Sequence, residues 1–265
     1  MTTVLQISDP HFGTEVGEVV GALLELARDV QPGLCVLSGD VTQRARRSQF
    51  FEARSFAERL RAPLLAIPGN HDIPLFNPLL RAFFPYRNYA RAFGNDLEPS
   101  FESDDLLVIG VKTTRRRRHK HGEVSEAQIA RVEDRLSRAR PEQLRVVVTH
   151  QPVLAIRARD ENNLLRGSER AAPRWCEAGA DLFLGGHIHL PYLRPLSERF
   201  RELRRRAWVA QAGTCVSRRI REGFPNSVNL LRRTNGGEWS VERWDFHAQS
   251  RAFERVETLL VSPDR

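Results

Sequence analysis

Pro68-Gly69-Asn70-His71-Asp72 places an amide, an imidazole and a carboxylate side by side. The run follows Leu64-Leu65-Ala66-Ile67, an apolar segment that reads as a buried strand. Pro68 and Gly69 end that strand. Open α/β sheets place their chemistry at the carboxyl ends of strands. A trio of this kind there could hold a metal, move a proton and orient the imidazole. Alone, the run is equally a surface turn, since Asn and Asp favour turns. Four further strand ends carry the same residue types. Val4–Ile7 leads into Asp9 and His11, and Leu34–Leu37 into Gly39 and Asp40. Arg145–Thr149 leads into His150, and Leu182–Leu184 into His187 and His189. Five of the eight histidines fall in this set, which points to one shared site rather than five separate turns. Imidazole and carboxylate without thiolate suit a borderline-to-hard divalent ion. Two adjacent ions need a group that offers an oxygen to each. Asp40, alone after Gly39, is the natural bridge.

The elements between these loops must hold them together. Val20, Leu23, Leu24, Ala27 and Val30 recur at helical spacing, and Pro32-Gly33 closes that helix. Phe50, Ala53, Ala57 and Leu60 share a face of a second helix, with Ser48 as its expected N-cap. The Pro- and aromatic-rich stretch 74–104 is expected to contain a short helix over Leu79–Arg91. Leu106–Val111 reads as a strand, and Ile129, Val132 and Leu136 as the apolar face of a helix. Strands alternating with amphipathic helices indicate α/β layers. After about residue 195 the chain becomes strand-rich: Trp208–Gln211, Val228–Leu231, Trp239–Phe246 and Val256–Val261. This part is expected to complete a second sheet packed on the first. With no internal repeat and no long linker, residues 1–265 read as one domain.

The blocks Asp9/His11, Gly39-Asp40, Gly69–Asp72, His150 and Gly186–His189 occur in the order D-x-H, G-D, G-N-H-[DE], H, G-H-x-H. In this the sequence resembles the calcineurin-like metallophosphoesterases. SDPHFG, SGDVTQRAR, PGNHDIP and, more weakly, Ala212–Ser217 are similar to the bacterial branch that includes class III cyclic-nucleotide phosphodiesterases. The resemblance implies a four-layered αββα sandwich of two mixed sheets flanked by helices. It implies one divalent ion held by Asp9, His11, Asp40 and His189, and a second held by Asp40, Asn70, His150 and His187. His71 would act on the scissile phosphate, with Asp72 fixing its orientation. Mn, Fe, Zn and Co all suit the donors. The expected reaction is attack of a metal-bridging hydroxide on a phosphodiester, with 3',5'-cyclic nucleotides as the leading substrate. A nucleotide-sugar or lipid pyrophosphatase of the UDP-diacylglucosamine hydrolase kind, or a nuclease, are the alternatives.

A third alternative, a non-catalytic nucleic-acid-binding module, comes from the charge. The net charge is +8, yet only Lys112 and Lys120 are lysines, so the arginine excess is a compositional bias spread over the chain. The complete ligand set disfavours this alternative, and a small anionic diester is the expected partner. The basic loop Arg115–His121 is either an anion-guiding rim or solvated surface, and the same choice applies to Arg44, Arg46, Arg47, Arg218, Arg219 and Arg221. Cys35, Cys176 and Cys215 are scattered and read as reduced thiols. No run is long and apolar enough for a membrane span, and the first residues lack a signal-peptide pattern, so a cytoplasmic location is expected.

Overall fold

Alternation along the strands generates two apolar faces from each sheet. In β1 (Thr3–Ile7), Leu5 and Ile7 face helices, while Val4 faces the opposite sheet. In β2 (Leu34–Leu37), Cys35 and Leu37 take the helix side, and Leu34 and Val36 the inner side. Such strands are buried on both faces, which is why they read as unbroken apolar runs. The computed structural model describes residues 2–234 and 236–262.

α1 (Gly17–Val30) follows β1, and α2 (Arg47–Arg59) joins β2 to β3 (Leu64–Ala66). Next come α3 (Pro78–Phe83), α4 (Arg87–Phe93), β4 (Ser100–Glu102), β5 (Leu106–Gly110), α5 (Glu126–Ser137), β6 (Leu144–Val148) and α6 (Ser168–Glu177). The chain ends in β7 (Leu182–Gly185), β8 (Tyr192–Pro195), β9 (Trp208–Gln211), β10 (Ser227–Arg233), β11 (Trp239–His247) and β12 (Ala252–Val261). One sheet has the order β12-β11-β10-β1-β2-β3 and the other β4-β5-β6-β7-β9-β8. Both are mixed. β1, β2 and β3 are mutually parallel, as are β5, β6, β7 and β9. β10, β11, β12, β4 and β8 pair antiparallel. Residues of α1, α2 and α4 cover the first sheet, residues of α5 and α6 the second, and a third apolar layer including Val36, Ile67, Val146, Val148 and Leu184 fills the gap between sheets. The expected αββα layering is therefore the observed one.

Four local expectations differ from the structure. The strand-rich C-terminal part does not complete one sheet: β8 and β9 extend the second, whereas β10, β11 and β12 extend the first through β1. Alternating hydrophobicity identifies a strand but not its pairing partner. The single helix over Leu79–Arg91 is two short helices, because Phe84 precedes Pro85 and a residue before proline avoids helical geometry. Ser48 lies inside α2, whose N-cap is Arg46. The edge strand β4, too short to show a period, was not expected.

Beneath the ligand loops the two sheets are stitched together. Across the sheets, Gln6 Nε2 donates to the Gly185 carbonyl (3.1 Å) and His150 Nδ1 to the Ser38 carbonyl (2.9 Å); within each sheet the loops are tied by backbone, as where Gly186 N donates to the His150 carbonyl (2.9 Å). Asp9 N donates to the Gly39 carbonyl and His11 N to the Asp40 carbonyl, both at 3.1 Å. The carboxyl ends of β1, β2, β3, β6 and β7 thus meet at one seam.

Candidate metal centre

All seven residues expected to bind metal meet at this seam. Ligand atoms of Asp9, His11 and His189 lie within 4.8 Å of one another, as do those of Asp40, His150 and His187. Asp40 stands between the groups. Its Oδ2 is 3.7 Å from His11 Nε2, and its Oδ1 is 3.3 Å from His150 Nε2. Asn70 Oδ1 is also 3.3 Å from His150 Nε2, which puts the amide in the second group. In the first group His189 Nε2 is 3.0 Å from His11 Nε2 and 3.3 Å from Asp9 Oδ1.

Two of the imidazoles have their rear nitrogens held by backbone. His150 Nδ1 donates to the Ser38 carbonyl at 2.9 Å and His189 Nδ1 to the Arg219 carbonyl at 2.6 Å. Each bond fixes the tautomer and directs the Nε2 lone pair into the seam. Asp9 accepts Ser8 Oγ at 2.6 Å and the backbone N of His187 at 2.9 Å. Part of His187 is open to solvent, but both of its ring nitrogens are buried and neither has a hydrogen-bond partner among the described residues. A buried imidazole without a partner is unfavourable unless something else accepts its lone pair. A divalent ion supplies that need, so the residues present fit metal.

The backbone is equally specialised. Asp9, His11, Asp40, His187 and His189 all have positive φ, between 45° and 72°. This left-handed geometry is unfavourable for L-residues by about 1 kcal/mol or more each, and such strain clusters at functional sites. Gly39 also has φ of 103°, and a Cβ there would strike the His150 ring.

Charges in the seam are strongly coupled. Burial pushes the Asp9 carboxyl up, but the His189 hydrogen bond and charge outweigh it and hold the group at about 2. Burial likewise opposes ionisation of Asp40, but the charges of His150, His71 and His11 and the His150 hydrogen bond together overcome it, so its pKa falls well below the ordinary carboxylate value. Burial lowers His11 well below the usual imidazole range and, with the His150 charge, lowers His187 to about 3. His150 moves the other way, up to about 9: burial would lower it, but the Asp40 charge and hydrogen bond dominate.

His71 and Asp72 need separate treatment. The His71 backbone N donates to Asp40 Oδ1 at 2.8 Å, and its Nδ1 donates to the Gln43 carbonyl at 2.9 Å. The expectation that Asp72 orients this imidazole is corrected: the Asp72 carboxylate does not contact the ring. Asp72 Oδ2 accepts Val41 N (3.0 Å) and Gly69 N (2.9 Å), and Oδ1 accepts Thr42 N (2.8 Å) and Thr42 Oγ1 (2.9 Å). It clamps the loop after β2 to the loop after β3, and so places Gln43, which holds His71. Asp72 stands three positions after Gly69, the spacing at which a carboxylate caps the backbone N–H at the start of a helical turn.

Arg219 is the residue that sequence reasoning left undecided. Its Nη1 is 2.9 Å from Gln43 Oε1 and 3.3 Å from both His71 Nε2 and His11 Nδ1. The segment that carries it is docked by Thr214 Oγ1 donating to the Asp9 carbonyl and Cys215 N to the Ser8 carbonyl. Ala212–Ser217 was the only sequence signal for this contribution. The basic loop divides: Arg115 donates to Gln128 and to the carbonyls of Lys112 and Thr114, and Arg118 pairs with Glu123, while Arg116, Arg117 and Lys120 remain exposed.

Two outcomes test the metal assignment. Asp40→Ala should lose at least one bound ion and nearly all turnover, measured by elemental analysis beside an activity assay; two retained ions would rule out the bridge. In wild type, a proton on His150 competes with metal at every pH below about 9. The apparent affinity of the ion near His150 should therefore rise with pH, by up to about tenfold per unit, and level off near that value. Calorimetric titration at several pH values checks this, and a flat profile would contradict it.

A family model described as calcineurin-like phosphoesterase matches residues 2–191. No curated protein matches the chain in sequence. Among solved structures, a dimetal phosphatase from Danio rerio superposes with TM-score 0.69 at 13% identity, covering 99% of both chains. The purple acid phosphatase PPD1 from yellow lupin gives 0.72 at 12% identity, covering 99% of this chain and 54% of that one. Vacuolar Protein Sorting 29 from Cryptosporidium parvum gives 0.54 at 12%, covering 98% of each. At these identities the structural likeness speaks for the fold alone. The family model, spanning most of the chain and all five ligand loops, shows that this protein belongs to the calcineurin-like phosphoesterases, metal-dependent hydrolases of phosphoesters.

Proposed function

We propose that the chain is a phosphodiesterase working with two divalent ions, one held by Asp9, His11, Asp40 and His189 and the other by Asp40, Asn70, His150 and His187. The observation that carries this reading is the split of Asp40, whose two oxygens face two different imidazole groups. When bound, such ions supply Lewis acidity toward the phosphoryl oxygens and a hydroxide near neutral pH.

The chain's own residues do the rest. The Arg219 guanidinium, held by Gln43, presents a fixed positive charge where a phosphoryl oxygen must sit between His11 and His71. His71 Nδ1–H is committed to the Gln43 carbonyl, so in the imidazolium form Nε2–H is the proton that can pass to the leaving oxygen as the P–O bond breaks, leaving a neutral ring. Asn70 and His71 also line a cavity of about 130 Å³ walled by Ile73, Leu75 and Phe76, with Arg44 and His119 at its edge. An apolar wall with the cationic Arg44 at its edge suits the organic part of a nucleotide, and 3',5'-cyclic nucleotides are the substrate we favour. The same wall gives a second reading, a lipid-linked pyrophosphate. Buried Cys35, Cys176 and Cys215, joined by no disulfide, are compatible with action in the cytoplasm.

A substrate panel of cyclic nucleotides, aryl diesters, dinucleotides and UDP-sugars, run with added Mn, distinguishes these readings. A nitrophenolate leaves readily as an anion, whereas a ribose alkoxide needs a proton. His71→Ala should therefore keep both ions and lose more activity on an alkyl or cyclic diester, on the order of 10²–10⁴-fold, than on an aryl diester. Equal losses would reduce His71 to a positioning role. Arg219→Ala should lower kcat/KM about 10- to 150-fold on both substrate types, the range for one charged hydrogen bond. An unchanged kcat/KM would remove Arg219 from the substrate site.

A further inference from the structure

Leu75, Phe76, Leu79, Phe83 and Phe84 are the largest concentration of exposed apolar side chains in the described structure, each between 43% and 72% accessible. They fall in one stretch of ten residues. α3 lies within it and buries none of its residues, although its sequence is Pro-Leu-Leu-Arg-Ala-Phe. A helix of this composition normally turns its apolar face to the core. Leu79 and Phe83 are four residues apart, on one helix face, and both point outward. Contiguous exposed apolar surface of this kind marks an interaction site.

The surroundings say what partner fits. Arg44 lies over the Phe76 ring at 5.1 Å and Arg87 over the Phe84 ring at 5.9 Å. Arg116 donates to the Ala82 carbonyl at 2.7 Å, and Arg81 to the Arg118 carbonyl at 2.7 Å, which brings the basic loop against α3. Arg44, Arg87, Arg116 and Arg117 are exposed, and no carboxylate pairs with them among the described residues. The patch is thus apolar at its centre and cationic at its rim. Two copies meeting through it about a two-fold axis would oppose arginine to arginine, which is repulsive. An anionic lipid surface satisfies both parts: apolar side chains enter the interfacial region and arginines meet headgroup phosphates.

We propose that residues 75–84 dock on an anionic phospholipid surface, with Leu75, Phe76, Leu79, Phe83 and Phe84 in the interfacial layer and Arg44, Arg87, Arg116 and Arg117 on the phosphates. Leu75 and Phe76 also wall the cavity that reaches His71 and Asn70, so docking sets the mouth of the metal centre at the lipid boundary. The binding itself does not depend on which phosphoester the centre hydrolyses.

The test is co-sedimentation of the full chain with vesicles of phosphatidylcholine alone and of phosphatidylcholine mixed with phosphatidylglycerol. Binding to the anionic vesicles only, weakening as salt rises, is expected. L79D/F83D should lower that partitioning at least about tenfold while leaving secondary structure and metal content unchanged, since neither side chain is buried. R87E/R117E should weaken it and flatten the salt dependence. Because the readout is bound protein rather than turnover, failure of the phosphodiesterase reading leaves this test intact. Absence of binding to anionic vesicles, or equal binding by L79D/F83D, would overturn the proposal. So would sedimentation velocity showing a dimer that L79D/F83D dissociates, which would make a second copy the occupant.

Discussion

Asp40 is the point on which the site's electrostatics turn. A carboxylate 2% exposed survives only if its charge is met by nearby partners. Here one oxygen faces His11 and the other faces His150 while also receiving the backbone N–H of His71. The same charge lifts His150 and, from further off, raises Asp72 along with the burial of that group. Four donors from Val41, Thr42 and Gly69 oppose the rise at Asp72 and explain why a second carboxylate can be buried so near the first.

The chain meets this demand with backbone as much as with side chains. Five left-handed residues stand at the ends of strands buried on both faces, so the strain rests where packing is densest on either side. Close approach does the rest. Gly69 lies so near Asp40 that any side chain there would strike the Asp40 backbone and carboxylate. The loop after β3 is thus packed directly against the loop that carries Asp40.

Much of this was legible in the sequence because each ligand follows an apolar run directly. Position relative to a strand end is local information, and so Asp9, His11, Asp40, Asn70, His71, Asp72, His150, His187 and His189 could be collected as one set, while the division into metal ligands and others came from the family resemblance. What could not be read depends on contacts between distant segments. Asp72 looked like a partner for its neighbour His71, but its carboxylate turns to amides of residues 41 and 42, which no local pattern reveals. Arg219 was one arginine among many, and only the docking of Thr214 and Cys215 on the loop after β1 brings it to His71. The C-terminal strands were recognised as strands, but their period says nothing of the partner they choose. The helix break falls at Pro85, inside the stretch expected to form a single helix.

β1 carries the first two candidate ligands at its end and lies inside its sheet, with β2 on one edge and β10 on the other. Its pairing of Val4 with Leu231 joins opposite ends of the chain. During synthesis, every candidate ligand has emerged once His189 has been made, yet β1 still presents an open edge until residues 227–233 arrive. The contacts of Thr214 and Cys215 with Asp9 and Ser8 also come late. Ligand identity is therefore complete well before ligand geometry. The region matched by the family model, ending at residue 191, contains the donors but not the strand that closes the sheet bearing them. A fragment cut at that boundary would expose an unpaired central strand, the kind of edge that recruits other chains. Closing the sheet that bears the first candidate ligands thus falls to the end of the chain, after the segment that brings Arg219 to His71.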